Sequence, residues 1–134
     1  SQLELRKSLL TEKQNMIDEA FERAKEKIKH LPLETYQKIV FNMLTSASVE
    51  GDEEILISEA DRDKITPDLV EKANEALKKS GIKAKLRLSN TYREMIGGFV
   101  LKSKDVEINN SFDALIKFER EALETKIAKI LFEE

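Results

Sequence analysis

Apolar positions in the first part of this 134-residue chain form a single narrow stripe. From Leu3 to about His30, Leu3, Leu10, Ile17, Ala24 and Leu31 recur every seven residues, while Phe21 and Ile28 stand eleven residues after Leu10 and Ile17. The segment has no Gly or Pro and is rich in strong helix formers, which predicts one long helix. Its flanks are Glu, Lys, Gln and Arg, so the stripe is too narrow for a typical core helix and suits the seam of a helix pair. Two uses fit such a stripe. One is a helix folded back on its own domain; the other, favoured by the charge on the opposite face, is a seam for another chain. On the second reading Leu3, Leu10, Ile17, Phe21, Ala24 and Ile28 form a partner-helix interface.

Pro32 ends that helix, because the residue before a proline is disfavoured in helical geometry. The pattern then broadens. A second helix from about Leu33 to Ser48 places Tyr36, Ile39, Val40, Met43 and Leu44 on one wide face, the signature of a core element. After the turn at Glu50-Gly51-Asp52, Glu54 to Ser58 reads as a short buried strand. Thr66-Pro67-Asp68 supplies a cap, a proline in the first helical position and an acid in the first turn. That helix runs to Lys78-Lys79, and Gly81 closes it. Lys83 to Ser89 alternates basic and apolar residues, a strand with one wet face. Gly97 to Lys102 and Val106 to Asn109 form a hairpin around Ser103-Lys104-Asp105. A last helix starts near Asn110-Ser111, with Phe112, Leu115, Ile116, Leu123, Ile127 and Ile130 expected inward. Four strands and four helices, a β-α-β unit followed by a hairpin, give an α+β fold with a small mixed four-stranded sheet. The expected organisation is a stalk helix over 1–31 and a head over 32–134.

Composition narrows the function classes. Charged residues make up 37% of the chain, yet the formal net charge is −3, without the basic excess that nucleic-acid phosphates select. Cysteine is absent, which removes disulfide and thiolate chemistry and fits a reducing, cytoplasmic compartment. No apolar run approaches the roughly 18 residues a membrane span needs. The chain opens on Ser1, and the helix that begins there is expected to be the end of a longer one.

Candidate chemistry is sparse. His30 is the single histidine, so a histidine metal site or a serine triad lacks its parts; beside Lys29, it fits the cation-favouring end of the first helix. Asp61-Arg62-Asp63 lacks the glycine and terminal glutamate of a calcium loop and reads as a solvated loop. Gly97-Gly98 precedes a strand, not a helix, so it is no phosphate cradle; it allows a bulge or close backbone approach where the strand begins. Asn109-Asn110-Ser111 matches a glycosylation sequon but reads as a helix cap. Lys83, Lys85 and Arg87 on one strand face read as a solvent side or a guard against edge pairing, or as a contact for an acidic protein surface. No catalytic, cofactor or metal residues are assigned.

The last third carries a resemblance. Gly97-Gly98-Phe99-Val100-Leu101, the charged turn Lys102 to Asp105, Glu107-Ile108-Asn109-Asn110-Ser111-Phe112 and the ending Lys126-Ile127-Ala128-Lys129-Ile130-Leu131-Phe132 resemble, in order and spacing, the E subunit of archaeal and vacuolar-type rotary ATPases. This resemblance covers 30–134, and the charged helix of 1–30 is similar to the end of that family's long N-terminal helix, most of which is missing here. It implies a non-enzymatic peripheral-stalk protein, cytoplasmic and peripheral to the membrane, that holds the catalytic head of an ATP synthase or ATPase against rotor torque. The implied partners are a second helical stalk subunit of the G or H type, the non-catalytic B subunit of the head, and a stator subunit at the membrane reached through the missing helix. In isolation the apolar stripe could pair with itself, giving a homodimer. Two other readings compete: an α+β adaptor displayed on a coiled coil, and a small hydrolase or ligand-binding regulator, which predicts a deep pocket with convergent polar groups.

Overall fold

The computed structural model describes residues 1–47 and 50–133. The elements in order are α1 (Gln2–Lys29), α2 (Leu33–Ala47), β1 (Glu54–Leu56), a 3-10 turn (Glu59–Asp61), α3 (Pro67–Lys79), β2 (Arg87–Leu88), β3 (Gly98–Lys102), β4 (Glu107–Ser111) and α4 (Phe112–Phe132). The expected α+β class is what folds. Helix α1 stops where Pro32 requires it to, and α2 begins at the next residue. Ser48, the expected end of α2, lies outside the described residues, as does Glu134. Helix α3 starts as its sequence dictates: the Thr66 hydroxyl accepts from the Leu69 N–H at 3.2 Å, and Pro67 occupies the first turn. Helix α4 is capped the same way, with the Ser111 hydroxyl accepting from the Ala114 N–H at 3.1 Å.

The sheet runs β2-β1-β3-β4. Strands β1 and β2 are parallel, joined by α3 as a β-α-β unit requires, while β3 lies antiparallel to both β1 and β4. Only Arg87–Leu88 of the expected 83–89 strand is regular, although its alternation persists: Ala84 and Leu86 are buried while Lys83, Lys85 and Arg87 are exposed. Its N–H groups at Lys85, Arg87 and Ser89 donate to the carbonyls of Gly51, Glu53 and Ile55. On the outer edge, the side-chain amide of Asn74 from α3 brackets Leu86, accepting from its N–H at 2.8 Å and donating to its carbonyl at 3.0 Å. An open edge invites another strand, and here a carboxamide occupies it.

The core lies between one face of the sheet and α2 and α3. Val40, Leu44, Ile55, Ile65, Phe99 and Leu101 are essentially sealed, with Tyr36, Ile57, Val70, Ala73 and Leu77 around them. The opposite face presents buried Leu56 and Val100, and the 89–97 segment crosses near it. That segment is held by the Arg93 N–H on the Ile57 carbonyl at 3.0 Å, the Phe112 N–H on the Gly97 carbonyl at 3.0 Å and the Ile96 N–H on Asp113 at 2.8 Å. A bidentate pair from Arg93 to Glu107, 3.1 Å on each branch, fastens it to β4.

Two expectations are corrected. Asp61 is not in a solvated loop: it is buried in the 3-10 turn, held by the Tyr36 hydroxyl. On α4, Phe112, Ile116 and Ile127 are half-buried, but Leu115, Leu123 and Ile130 are exposed, Ile130 at 78%. Helix α4 is apolar on more than one side, so its sequence alone does not single out the side that meets the rest of the chain.

Candidate functional site

Helix α1, 28 residues and so about 42 Å long, ends just before Leu31-Pro32, where α2 follows. His30 is its C-cap, with Nδ1 donating to the Glu26 carbonyl at 2.8 Å, the terminus role its position suggested. The helix packs along α4. Of the six stripe residues, Ile17 is buried, Leu10, Phe21, Ala24 and Ile28 are half-buried, and Leu3 is 53% exposed. Among the described residues Ile17 is the single buried one of α1, and α4 has none, so their contact is a ridge rather than a core. One side is closed by Asp18, which pairs with Arg120, whose Nε also meets Glu124 at 3.1 Å. On the other side α1 leaves Leu5, Leu9 and Met16 exposed, Leu5 at 60% and Met16 at 55%. Successive helical residues turn by about 100°, so these three lie on a strip beside the Ile17 face, away from Asp18.

The root of this helical pair is a polar knot that the sequence reading missed. The Tyr36 hydroxyl donates to the buried Asp61 carboxylate and accepts from the Gly98 N–H at 2.8 Å, joining α2, the 3-10 turn and β3. Lys64 adds its ammonium 4.0 Å from Asp61 and 5.6 Å from the Tyr36 ring centre. Burial pushes the Tyr36 phenol well above its ordinary range, and the bond to Asp61 pushes it further. The double glycine is what lets the strand come this close. A Cβ on Gly97 would sit 2.8 Å from the Tyr36 hydroxyl, and one on Gly98 would lie 2.5 Å from the Asn110 carbonyl oxygen, with φ at +78°. The close backbone approach expected of Gly97-Gly98 is therefore present. The signal was the pair itself, directly before an apolar strand; its partner tyrosine was legible only as an apolar position.

No convergent set of reactive groups emerges from these contacts among the described residues. The groove beside α4 is lined by Arg93, Met95, Val100, Asn109, Lys117 and Phe118. Two of its polar members are engaged structurally, Arg93 by Glu107 and Asn109 by the Ser111 N–H at 3.0 Å. Among the described residues, no three His, Cys, Asp or Glu side chains converge to hold a metal ion, and no helix is long and apolar enough to cross a membrane.

What the geometry offers is a braced domain with a helical pair attached, and the comparison with known proteins places that arrangement. The profile of the family described as ATP synthase (E/31 kDa) subunit matches residues 1–132. The chain belongs to this family. It is 52% identical over 128 residues to the V-type proton ATPase E subunit of Thermoanaerobacter pseudethanolicus, covering 96% of this chain and 64% of that protein. It is 42% identical over 130 residues to the V-type proton ATPase E subunit of Clostridium botulinum strain Loch Maree, covering 97% and 65%. The V-type ATP synthase E subunit of Acetivibrio thermocellus is 41% identical over 106 residues, 79% of this chain and 54% of that protein. The chain thus spans between 54% and 65% of the length of these relatives. The knot at Gly98 and the α1–α4 ridge both lie within the residues that the family matches.

Proposed function

We propose that this chain is the head-proximal part of a peripheral-stalk E subunit, a non-catalytic element of a cytoplasmic, membrane-peripheral stator that holds the catalytic head of an A/V-type ATPase against rotor torque. The observation that supports it best is mechanical. A long helix is rooted in a domain whose buried polar groups, Tyr36, Asp61 and Ser111, are used to tie secondary elements together. A load carried along α1 passes into the sheet through that root, which is what an anchor needs and a flexible adaptor does not.

On this reading α1 pairs with a second helical stalk subunit of the G or H type, the domain of 32–134 contacts the non-catalytic B subunit, and the stator at the membrane is reached through a longer helix before α1. The stripe Leu3, Leu10, Ile17, Phe21, Ala24 and Ile28 keeps its proposed role in helix pairing, with α4 sharing it. The incoming helix then seats at the exposed margin, along Leu5, Leu9 and Met16.

The test is reconstitution. The immobilised chain is offered a purified small helical stalk subunit and a purified B subunit, separately and together. Retention of both supports the reading, and Leu10→Asp with Ile17→Asp should abolish retention of the helical subunit while leaving the B subunit bound. Retention of neither, by a chain whose circular dichroism is that of an α+β fold, would overturn it in favour of an unrelated adaptor.

A further inference from the structure

Residues 76–93 carry six basic side chains, Lys78, Lys79, Lys83, Lys85, Arg87 and Arg93, and no acidic one, within a chain of net charge −3. Three of these have evident internal roles. Lys78 and Lys79 are in the last turn of α3, where cations offset the helix dipole, and Arg93 is paired to Glu107. Arg87 is half-employed, with one guanidinium nitrogen donating to the Asp52 carbonyl at 2.9 Å. Lys83 and Lys85 are exposed and make no ion pair among the described residues. Lysines often guard a sheet edge against strand addition, but at Leu86, between them and β2, Asn74 already takes the edge hydrogen bonds. Lys83 and Lys85 are therefore left without a structural task, and Arg87, opposite Glu54 in register and bonded to the Asp52 carbonyl, is only partly free.

The position of this basic row is informative. β2 is one edge of the sheet and β4, which leads directly into α4, is the other. The basic row thus lies on the edge across the sheet from the strand that carries the helical pair. With the carboxamide of Asn74 on Leu86, a partner there cannot extend the sheet through that residue and must be recognised through side chains.

We propose that Lys83, Lys85 and Arg87 form a docking row for an acidic polypeptide surface. This deepens the stator reading, on which that surface would belong to the catalytic head, but it rests on the charge distribution of this chain and can be tested without it. Salt should weaken the contact, because exposed charges separated by more than about 10 Å are screened at 0.1 M ionic strength.

The probe is poly-L-glutamate, titrated against the chain by calorimetry at low ionic strength. The comparison is between Lys83→Glu with Lys85→Glu and Lys126→Glu with Lys129→Glu, an identical charge change at exposed positions of α4. The edge reversal should weaken binding by at least about tenfold and the α4 reversal far less, with the difference collapsing at high salt. Equal weakening by both variants, or no binding by the wild-type chain, overturns the proposal. Tighter binding to anionic vesicles or duplex RNA than to poly-L-glutamate overturns the choice of partner. Capture of purified B subunit by the same variants separates the two readings: wild-type capture tests the stator role, and its loss in the edge variant alone tests the row.

Discussion

Val40, Leu44, Ile55, Ile65 and Phe99 are sealed from solvent in the head, whereas the α1–α4 pair seals Ile17 alone among its described residues. The difference follows from layering. A sheet with helices across one face closes a core because each apolar face meets another of similar width. Two helices meet along one line, so each keeps most of its circumference in water. The sheet and its two helices accordingly close their own core, while the pair leaves Leu5, Met16 and Ile130 exposed.

The sharpest way to break the head is at its closest approach. Gly98→Val would require a Cβ 2.5 Å from the Asn110 oxygen at a φ of +78°, and should cost at least about 3 kcal/mol, read as a drop in the urea midpoint. Gly81→Ala is the control: its φ is +88° but nothing lies within 4 Å, so only the backbone cost of about 1 kcal/mol remains. Leu44→Ala, in the sealed core, should cost about 3 kcal/mol and lower the whole transition.

Tyr36→Phe comes next, at about 2 kcal/mol, because it leaves the Gly98 N–H and the Asp61 carboxylate buried without their partner. It also has a pH signature. The folded state holds the phenol protonated above its ordinary value, so this stability is complete below about pH 10 and is lost as pH rises beyond it, where the unfolded phenol ionises first. Unfolding curves at pH 8 and pH 11 should show that extra loss in the wild type and not in Tyr36→Phe.

On the helical pair, Ile17→Ala should cost about 2 kcal/mol, the low end for a buried isoleucine, since its half-buried neighbours on an open ridge can close over the gap. Its effect should be local. Amide exchange in α1 should accelerate while that of β1 and β3 stays unchanged; equal acceleration in both would erase the contrast between the two regions. The smallest effect is expected at the exposed Arg93–Glu107 pair. Arg93 holds the Glu107 carboxyl below the usual range, so its slight contribution is present above the ordinary carboxylate value and fades on acidification. Glu107→Gln should leave the unfolding midpoint nearly unmoved and show itself as faster proteolysis in 89–97.

Local chemistry explains which features were legible in the sequence. The break at Pro32, the caps at Thr66 and Ser111, the hairpin and the alternation of 83–89 each depend on a few neighbouring residues, and each is present. What depends on distant residues was not readable. Asp61 looked solvated because its neighbours are charged, yet Tyr36, twenty-five positions earlier, buries it. The stripe on α1 was visible; that α4 lies beside it was not, because α4 offers apolar residues on several sides. The basic row was visible as a pattern, but its freedom from an edge-guarding duty needed the Asn74–Leu86 contact.

The pairing of α1 with α4 also has a consequence in time. Helix α1 ends at Lys29 and α4 begins at Phe112, so a ribosome finishes one long before it starts the other. At about 5–20 residues per second, α1 spends several seconds without its internal cover on every round of synthesis. Any helix made nearby in that interval meets the Ile17 stripe bare, and need not displace α4 to reach it. Translation order alone lets an outside helix reach that stripe before α4 can.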